Sequence, residues 1–470
     1  MINVIILSNL KNLNNFVYLL DKLSGCCYTL VKIQNFYEGD FFRMKRKAVS
    51  LMFLVLSSFL VLTACSSDEE GSGDDEKVVE FMHLWPEGNS TAHYNIVNDI
   101  VEEFESENPG VKVELEVLSN EQYKDKIKVL SSSNELPDVG MTWAAGYMEP
   151  FIEGDQFASL NDILDGEFGD LFVPGTVDAY SFDEEAYGLP LELNIAPVFY
   201  NQAIFEEHGL EAPETYDDFL NIVDVLTEND VAPIALGNKD AWTGSLWYMY
   251  LADRIGGPTL LTDAINGDAN FTDDAFVNAA NEIQSLVDKG AFVKGFNGLG
   301  DQEAKSMFMN EQAAMYLIGS WDLPNYTTSE DVPQEFRDSI DYFKFPTVDG
   351  NGDVDSFVGG PGVGLFVSEN SEVKDEAKAF VQFFVEQWGE EAVQEAGVIP
   401  ATKVDTDEVD LHQMYIDVLD DLSNASNITL FADVQMSPDA AQKHLDLIQG
   451  LFGAEVTPEE FAEEHEKAME

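Results

Sequence analysis

The stretch that most constrains this chain runs from Lys77 to Trp143, where the spacing of apolar residues switches repeatedly between two periods. Val78 to Trp85 is a short apolar run, and Val97, Ile100, Val101 and Phe104 then fall on one helical face until Pro109-Gly110 stops it. Val111, Val113, Leu115 and Val117 alternate with polar residues, a helical pattern follows from about Asn120, and Asp138 to Trp143 is again extended. A period of two puts alternate side chains on opposite sheet faces, whereas a spacing of three and four builds one helical stripe. Strand, helix, strand, helix, strand predicts a parallel layer with right-handed crossovers, hence an α/β fold.

A second such unit is expected further on. In Tyr187 to Asn201 a Gly-Leu-Pro turn leads into an extended apolar run interrupted by Pro197. Proline lacks the ladder N–H, so this run suits a sheet edge or a crossing between units. Helices are predicted at Ala203–His208, ended by Gly209, and at Tyr216–Leu226, started by Thr215. Later landmarks are Trp242 to Tyr250, a helix over Asp274–Lys289, Ala313 to Trp321, the glycine cluster Gly359 to Gly364, a helix over Val373–Trp388 and the segment Gly397 to Thr402. No internal repeat is visible.

Upstream, Lys45-Arg46-Lys47 precedes an uncharged run, Ala48 to Leu62, and then Thr63-Ala64-Cys65. A basic segment, a short apolar segment and a small-residue cleavage site form a secretory signal, and the run is too short to span a bilayer comfortably. The small residue before Cys65 resembles the lipobox of bacterial lipoproteins, which implies cleavage and acylation at Cys65. Each buried acyl CH2 would add about 0.8 kcal/mol of membrane attachment. Residues 1–43 then read as an upstream misreading of the start, 44–64 as the signal peptide, and 65–76 as a flexible acidic tether with no apolar side chain beyond Cys65.

About 400 residues remain, more than one hydrophobic core usually holds, so two domains are expected. The other cysteines, Cys26 and Cys27, lie ahead of the signal, which leaves no thiol for a disulfide. Seven of the 24 basic and three of the 88 acidic residues precede Cys65, leaving 17 against 85, a net charge of −68. Such a surface repels phosphate backbones and excludes nucleic-acid binding. The charge is spread along the whole chain, as in adaptation to a salty exterior where ions screen self-repulsion.

Together these landmarks resemble the extracellular solute-binding proteins of carbohydrate ABC importers, the group that includes the maltose-binding proteins. The residues that carry the resemblance are the lipobox, Pro190 through Tyr200-Asn201, Thr215-Tyr216, Gly319-Ser320-Trp321, Gly359 to Gly364 and Ala377 to Phe384, in the family's order. The resemblance implies a two-lobe, periplasmic-binding-protein-like α/β fold of type II with a ligand cleft at the hinge. Crossings are expected near Pro190–Asn194, Phe345–Thr347 and Val398–Thr402. One lobe would hold residues 77–190 and 347–397, the other 194–344 and 402–470.

Sugars present apolar C–H faces and a rim of hydroxyls, so their sites combine flat aromatic rings with orienting polar groups. Trp85, Trp143, Trp242, Trp247 and Trp321 lie at strand ends or in loops and are the candidate platforms; Trp388 sits on a periodic helix and is assigned to packing. Polar candidates are His83, Glu87, Glu192, Asn194, Asp322 and Asp433, with Gly360 in the glycine cluster. Asn194 stands where maltose-binding relatives place an acidic contact, which leaves the sugar open.

Other chemistry is poorly supported. The glycine cluster lacks the Lys-Ser/Thr of a phosphate loop, and no Gly-x-Ser-x-Gly elbow occurs. Asp349 to Asp355 begins like a calcium loop, but Val354 and Gly360 replace its required Gly and Glu. No metal or cofactor is expected. The expectation is a monomeric, non-enzymatic binding protein on the extracellular face of the cytoplasmic membrane. It would be lipid-anchored and would pass a sugar or oligosaccharide to the transmembrane subunits of an ABC permease. The alternatives are a secreted glycosidase using two carboxylates, or the same fold binding a polyol, a glycerol phosphate or a uronate; the scarcity of basic residues disfavours the anionic ligands unless Arg254 or a lysine is well placed to meet them.

Overall fold

A computed structural model describes residues 76–88, 90–405 and 409–469. The signal segment, Cys65 and most of the acidic tether lie outside the described residues. The chain opens with β1 (Lys77–His83), α1 (Thr91–Glu107), β2 (Val111–Val117), α2 (Asn120–Ser133) and β3 (Val139–Thr142). Both β2 and β3 pair with β1 in parallel, Phe81 lying opposite Leu115 and Val139. The alternation sets the faces: Val79 and Phe81 are buried while Val78 and Glu80 are exposed. Helix α1 turns Ile96, Val97, Ile100, Val101 and Phe104 inward, the stripe read from the sequence.

Next come β4 (Leu189–Pro190), β5 (Leu193–Ile195), β6 (Val198–Asn201), α3 (Gln202–His208), α4 (Tyr216–Glu228), β7 (Ile234–Ala235), α5 (Trp242–Gly256), α6 (Asp274–Asp288) and α7 (Asp301–Met309). Gly209 closes α3 in the left-handed conformation, and the Thr215 side chain caps α4 by accepting from Asp218 N. The chain continues through β8 (Met315–Leu317), β9 (Ile340–Phe343), β10 (Ser356–Pro361), β11 (Gly364–Val367) and α8 (Lys374–Glu391). It finishes with α9 (Gln413–Ser423), β12 (Asn427–Thr429), α10 (Pro438–Phe452) and α11 (Pro458–Met469).

The first sheet has the order β2-β1-β3-β11-β4, with β11 antiparallel to both neighbours. The second has the order β9-β6-β8-β7, and a small third sheet joins β12, β10 and β5. Three connecting segments lie side by side between the two main sheets. Leu191 N donates to Val363 O at 3.0 Å, Leu193 N to Ile399 O at 2.9 Å and Ala401 N to Leu191 O at 3.0 Å. The middle one therefore runs through Gly362-Val363 rather than through Phe345–Thr347. The reason is a set of hydrogen bonds that retain residues 345–356 on the helices of the second sheet. Tyr216 N donates to Thr347 O, and the buried Arg254 guanidinium donates to the carbonyls of Phe345 and Ser356. Glycine is required where β10 meets β5, since a Cβ at Gly359 would stand 2.1 Å from the Asn194 carbonyl oxygen.

On the first sheet, α8 lays Phe380, Phe384 and Trp388 against Phe81 and Trp85. On the second, α10 and α11 return to pack on α5 and α6. No helix among the described residues is long and apolar enough to cross a membrane.

Candidate functional site

The cavity between the two sheets has a volume of about 470 Å³, within the usual range of small-molecule sites. One wall comes from the ends of the parallel strands and the helices that follow them: Trp85 after β1, His93 on α1, Asn120 and Lys124 on α2, and Trp143 after β3. Clefts of open α/β sheets form at these carboxyl ends. The facing wall carries Trp242 and Ser245 of α5, Asp301 and Lys305 of α7, Trp321 and Asp322 after β8, then Phe431 and Asp433. Glu192, Asn194 and Gly362, from the crossing segments, form part of the lining.

Each aromatic is held by a neighbour. Trp85 stacks on Trp388, ring centres 4.7 Å apart and 3° from parallel. Trp143 has the Lys124 ammonium 4.9 Å from its ring centre, a contact that holds cation and ring together, and Lys124 also lies 3.8 Å from the Glu121 carboxylate. Trp242 lies 6.2 Å from Trp321, which meets Phe431 edge-on at 5.7 Å.

The polar groups are mostly paired. His93 Nε2 lies 3.1 Å from Glu192 Oε1. Asp322 accepts from Lys305 Nζ at 2.5 Å, from Asn325 Nδ2 at 2.9 Å and from the Tyr326 hydroxyl at 2.5 Å. The Tyr316 hydroxyl donates to Asp301, whose carboxyl burial pushes up to about 6. Loss of solvent likewise raises Asp433, with Lys124 acting in the opposite sense. Asn194 Oδ1 accepts from the Ser320 hydroxyl at 3.0 Å, while its buried Nδ2 has no partner among the described residues. A Cβ at Gly362 would stand 2.4 Å from that Nδ2, so glycine keeps the space in front of it open. An unpaired buried donor costs about 1–3 kcal/mol, a cost that a ligand oxygen would relieve.

Of the residues singled out from the sequence, Trp85, Trp143, Glu192, Asn194, Trp242, Trp321, Asp322 and Asp433 line this cavity. The other five do not. His83 is fully buried beneath the wall, its Nδ1 accepting from Trp85 N, and burial lowers its pKa to about 4. Trp247 is a core residue among Phe219, Phe292 and Phe345. Glu87 is exposed outside the lining, and Gly360 borders a second hollow beside the crossing segments. Arg254 is buried away from the cavity, paired with Asp253 and packed over Tyr250. His93, Asn120, Lys124, Asp301, Lys305 and Phe431 were not anticipated. Five of these six are polar side chains in helical segments, where sequence patterning cannot distinguish a cleft-facing residue from a solvent-facing one.

Residues 87–387 match the family described as bacterial extracellular solute-binding protein. The multiple sugar-binding protein of Streptococcus mutans is 25% identical over 72% of this chain and 78% of its own. A protein solved in work on xylan utilization by the thermophilic bacterium Caldanaerobius polysaccharolyticus is 32% identical, with a TM-score of 0.78 over 83% of this chain and 99% of that one. A chitin oligosaccharide binding protein is 25% identical, with a TM-score of 0.77 over 84% and 98%. With the family match running through most of the described fold, and with a two-lobe architecture around a lined cleft, this chain belongs to the bacterial extracellular solute-binding proteins.

Proposed function

We propose that the protein captures a neutral oligosaccharide outside the cell and delivers it to an ABC permease. The observation that carries this reading is the placement of four tryptophans on both sides of one cavity, interleaved with carboxylates and amides. Indole faces fit the C–H surfaces of pyranose rings, and the polar groups fit the hydroxyl rim. Relatives named for sugars or oligosaccharides support the substrate class. Neutrality follows from charge: Glu192, Asp301, Asp322, Asp331 and Asp433 line the cavity against Lys124 and Lys305. Lys305 is already paired with Asp322 and Lys124 with Glu121, and carboxylates outnumber both, so the cavity disfavours a uronate or a phosphorylated ligand. The glycosidase alternative loses support at Asp322, whose two oxygens take three donors and are poorly placed to act as a nucleophile.

The lobes of this reading comprise residues 77–190 with 364–397, and 194–361 with 402–469, closing about the three crossing segments. A lipidated Cys65 would tether the protein to the outer face of the membrane; intact mass of the native protein should show acylated Cys65 as its first residue. The net charge of −68 after the signal fits a salty exterior, so the melting temperature should rise from low to molar sodium chloride. A steady fall would contradict that.

Thermal-shift and calorimetric screening with xylotriose, chitotriose, maltotriose and a glucuronate-bearing xylo-oligosaccharide tests the substrate class. A ligand at 100 times its Kd should stabilise the fold by about 2.7 kcal/mol. Preference for the glucuronate-bearing sugar, or no response to any of the four, would overturn the assignment.

A further inference from the structure

One face of α5 borders the cavity through Trp242, Ser245, Leu246 and Met249, the spacing of a single helical stripe. Ser245 differs from its neighbours in being tied to two histidines behind the helix. Its Oγ lies 2.7 Å from Nε2 of His444 on α10. His444 Nδ1 lies 2.8 Å from Nε2 of His465 on α11, and His465 Nδ1 lies 2.9 Å from the Phe461 carbonyl oxygen. Both imidazoles are fully buried, and Ser245 exposes only 1% of its surface while touching the cavity. The imidazoles therefore have little access to water, and Ser245 is the one member of the chain that meets the cavity.

The proton positions follow by elimination. A backbone carbonyl can only accept, so His465 carries its proton on Nδ1. Burial lowers both imidazoles, His465 to about 4 and His444 well below its ordinary value, so both are neutral near pH 7. The Nε2 of His465 then offers only a lone pair, and His444 must donate to it from Nδ1. That leaves His444 Nε2 as an acceptor, and the Ser245 hydroxyl gives its single proton to it.

We propose that Ser245 is a specificity-determining residue of the cleft, a hydroxyl whose proton His444 and His465 lock away so that it can only accept from a sugar hydroxyl. This rests on the oligosaccharide reading above. A free serine hydroxyl rotates and serves a ligand hydroxyl, a ring oxygen or a glycosidic oxygen equally well. Ser245 does not have that freedom. Ring and glycosidic oxygens carry no proton, so placing one here sets lone pairs against lone pairs, whereas a hydroxyl completes the chain. Sites that pair a substrate hydroxyl reject analogues lacking it strongly, because the buried partner is left unsatisfied. The two histidines act as positioning residues. The order serine, imidazole, imidazole is also that of a nucleophile, a base and an orienting group. An imidazole of such low basicity takes a serine proton poorly, which favours recognition over acyl transfer.

Two measurements test this. In protein labelled with ¹⁵N-histidine, long-range ¹H–¹⁵N correlation spectra report the tautomer of each of the six imidazoles. His444 and His465 should both appear neutral with the proton on Nδ1, the less common tautomer of free histidine. In His465→Phe, which also assigns the signal, His444 should lose that exclusive tautomer. A proton on Nε2 of His444 in the unaltered protein would overturn the locked hydroxyl. In calorimetry with xylotriose, chitotriose and maltotriose, Ser245→Ala should weaken whichever sugar binds by at least tenfold; it also leaves His444 Nε2 without its partner, so the melting temperature should fall while the protein stays folded at the titration temperature. Unchanged affinity would overturn the role of Ser245. If the unaltered protein binds none of the three, the oligosaccharide reading falls and the sugar-reading role with it, while the spectra separately decide whether the proton is locked.

Discussion

The cleft and the hollow beside the crossing segments differ in the chemistry of their linings and not usefully in size. Their volumes, about 470 Å³ for the cleft and about 690 Å³ for the hollow, are of the same order. The lining of the hollow includes Leu193, Pro361, Ile399, Leu419 and Leu422, and its one charged residue, Lys403, already donates to the Asp170 carbonyl. The cleft holds four tryptophans, five carboxylates and two lysines. Burying so many polar groups costs free energy unless they are paired, and the fold tolerates that cost in only one of the two places. Convergent polar chemistry, rather than empty volume, marks the site.

The sharpest break in this comparison is at the buried pair Lys305–Asp322. Lys305→Met leaves a carboxylate without its cation, and stability in urea should drop by about 3–5 kcal/mol. A loss below about 1 kcal/mol would mean that the charged wall is far more solvated than its burial implies.

Acid should act next. His83 and His465 have folded pKa values of about 4 against 6.5 for the free side chain. Between those values the unfolded chain binds more protons, so stability falls as pH drops below about 6.5 and stops falling below about 4, on the order of 3 kcal/mol for each residue. Asp301 works in the opposite sense: with its folded pKa raised to about 6, it contributes stability as pH falls through that value. Denaturation of the protein and of Asp301→Asn at pH 7, 5.5 and 4.5 should therefore show a steeper acid loss in the variant. Parallel curves would remove Asp301 from the buried network.

The effect on binding is smaller. Trp321→Ala should weaken the bound oligosaccharide by about 1–3 kcal/mol in calorimetry, with the fold retained because Trp321 is only half-buried. The smallest effect belongs to the other hollow, where Leu419→Ala should leave affinity within about twofold. An equal loss from both substitutions would erase the distinction drawn between them.

The parallel layer was legible because α1 and β2 bury one face each, which writes a period into the sequence, while β1, buried on both faces at its end, stood out as a short apolar run ahead of them. The antiparallel strand β11 was not, since it is buried throughout and its short apolar run has no period to read. Trp242 and Trp247 show the same limit within the site. Five residues apart on α5, they point to different sides of the helix, one into the cleft and one into the core. As members of an aromatic segment they look alike in sequence. The middle crossing was misplaced because the bonds that hold residues 345–356 to the second sheet come from Tyr216 and Arg254, far away along the chain.

The stacking of Trp85 on Trp388 also has an optical consequence. Two indoles whose centres are 4.7 Å apart and nearly parallel share their excitation, so their near-ultraviolet signal belongs to the pair. Trp85 faces the cleft while Trp388 is anchored in the core, so a sugar settling on the outer ring perturbs a chromophore whose inner half stays fixed. With Trp85 as a sugar platform, the stacked pair would report occupancy in near-ultraviolet circular dichroism without a dye or an engineered label.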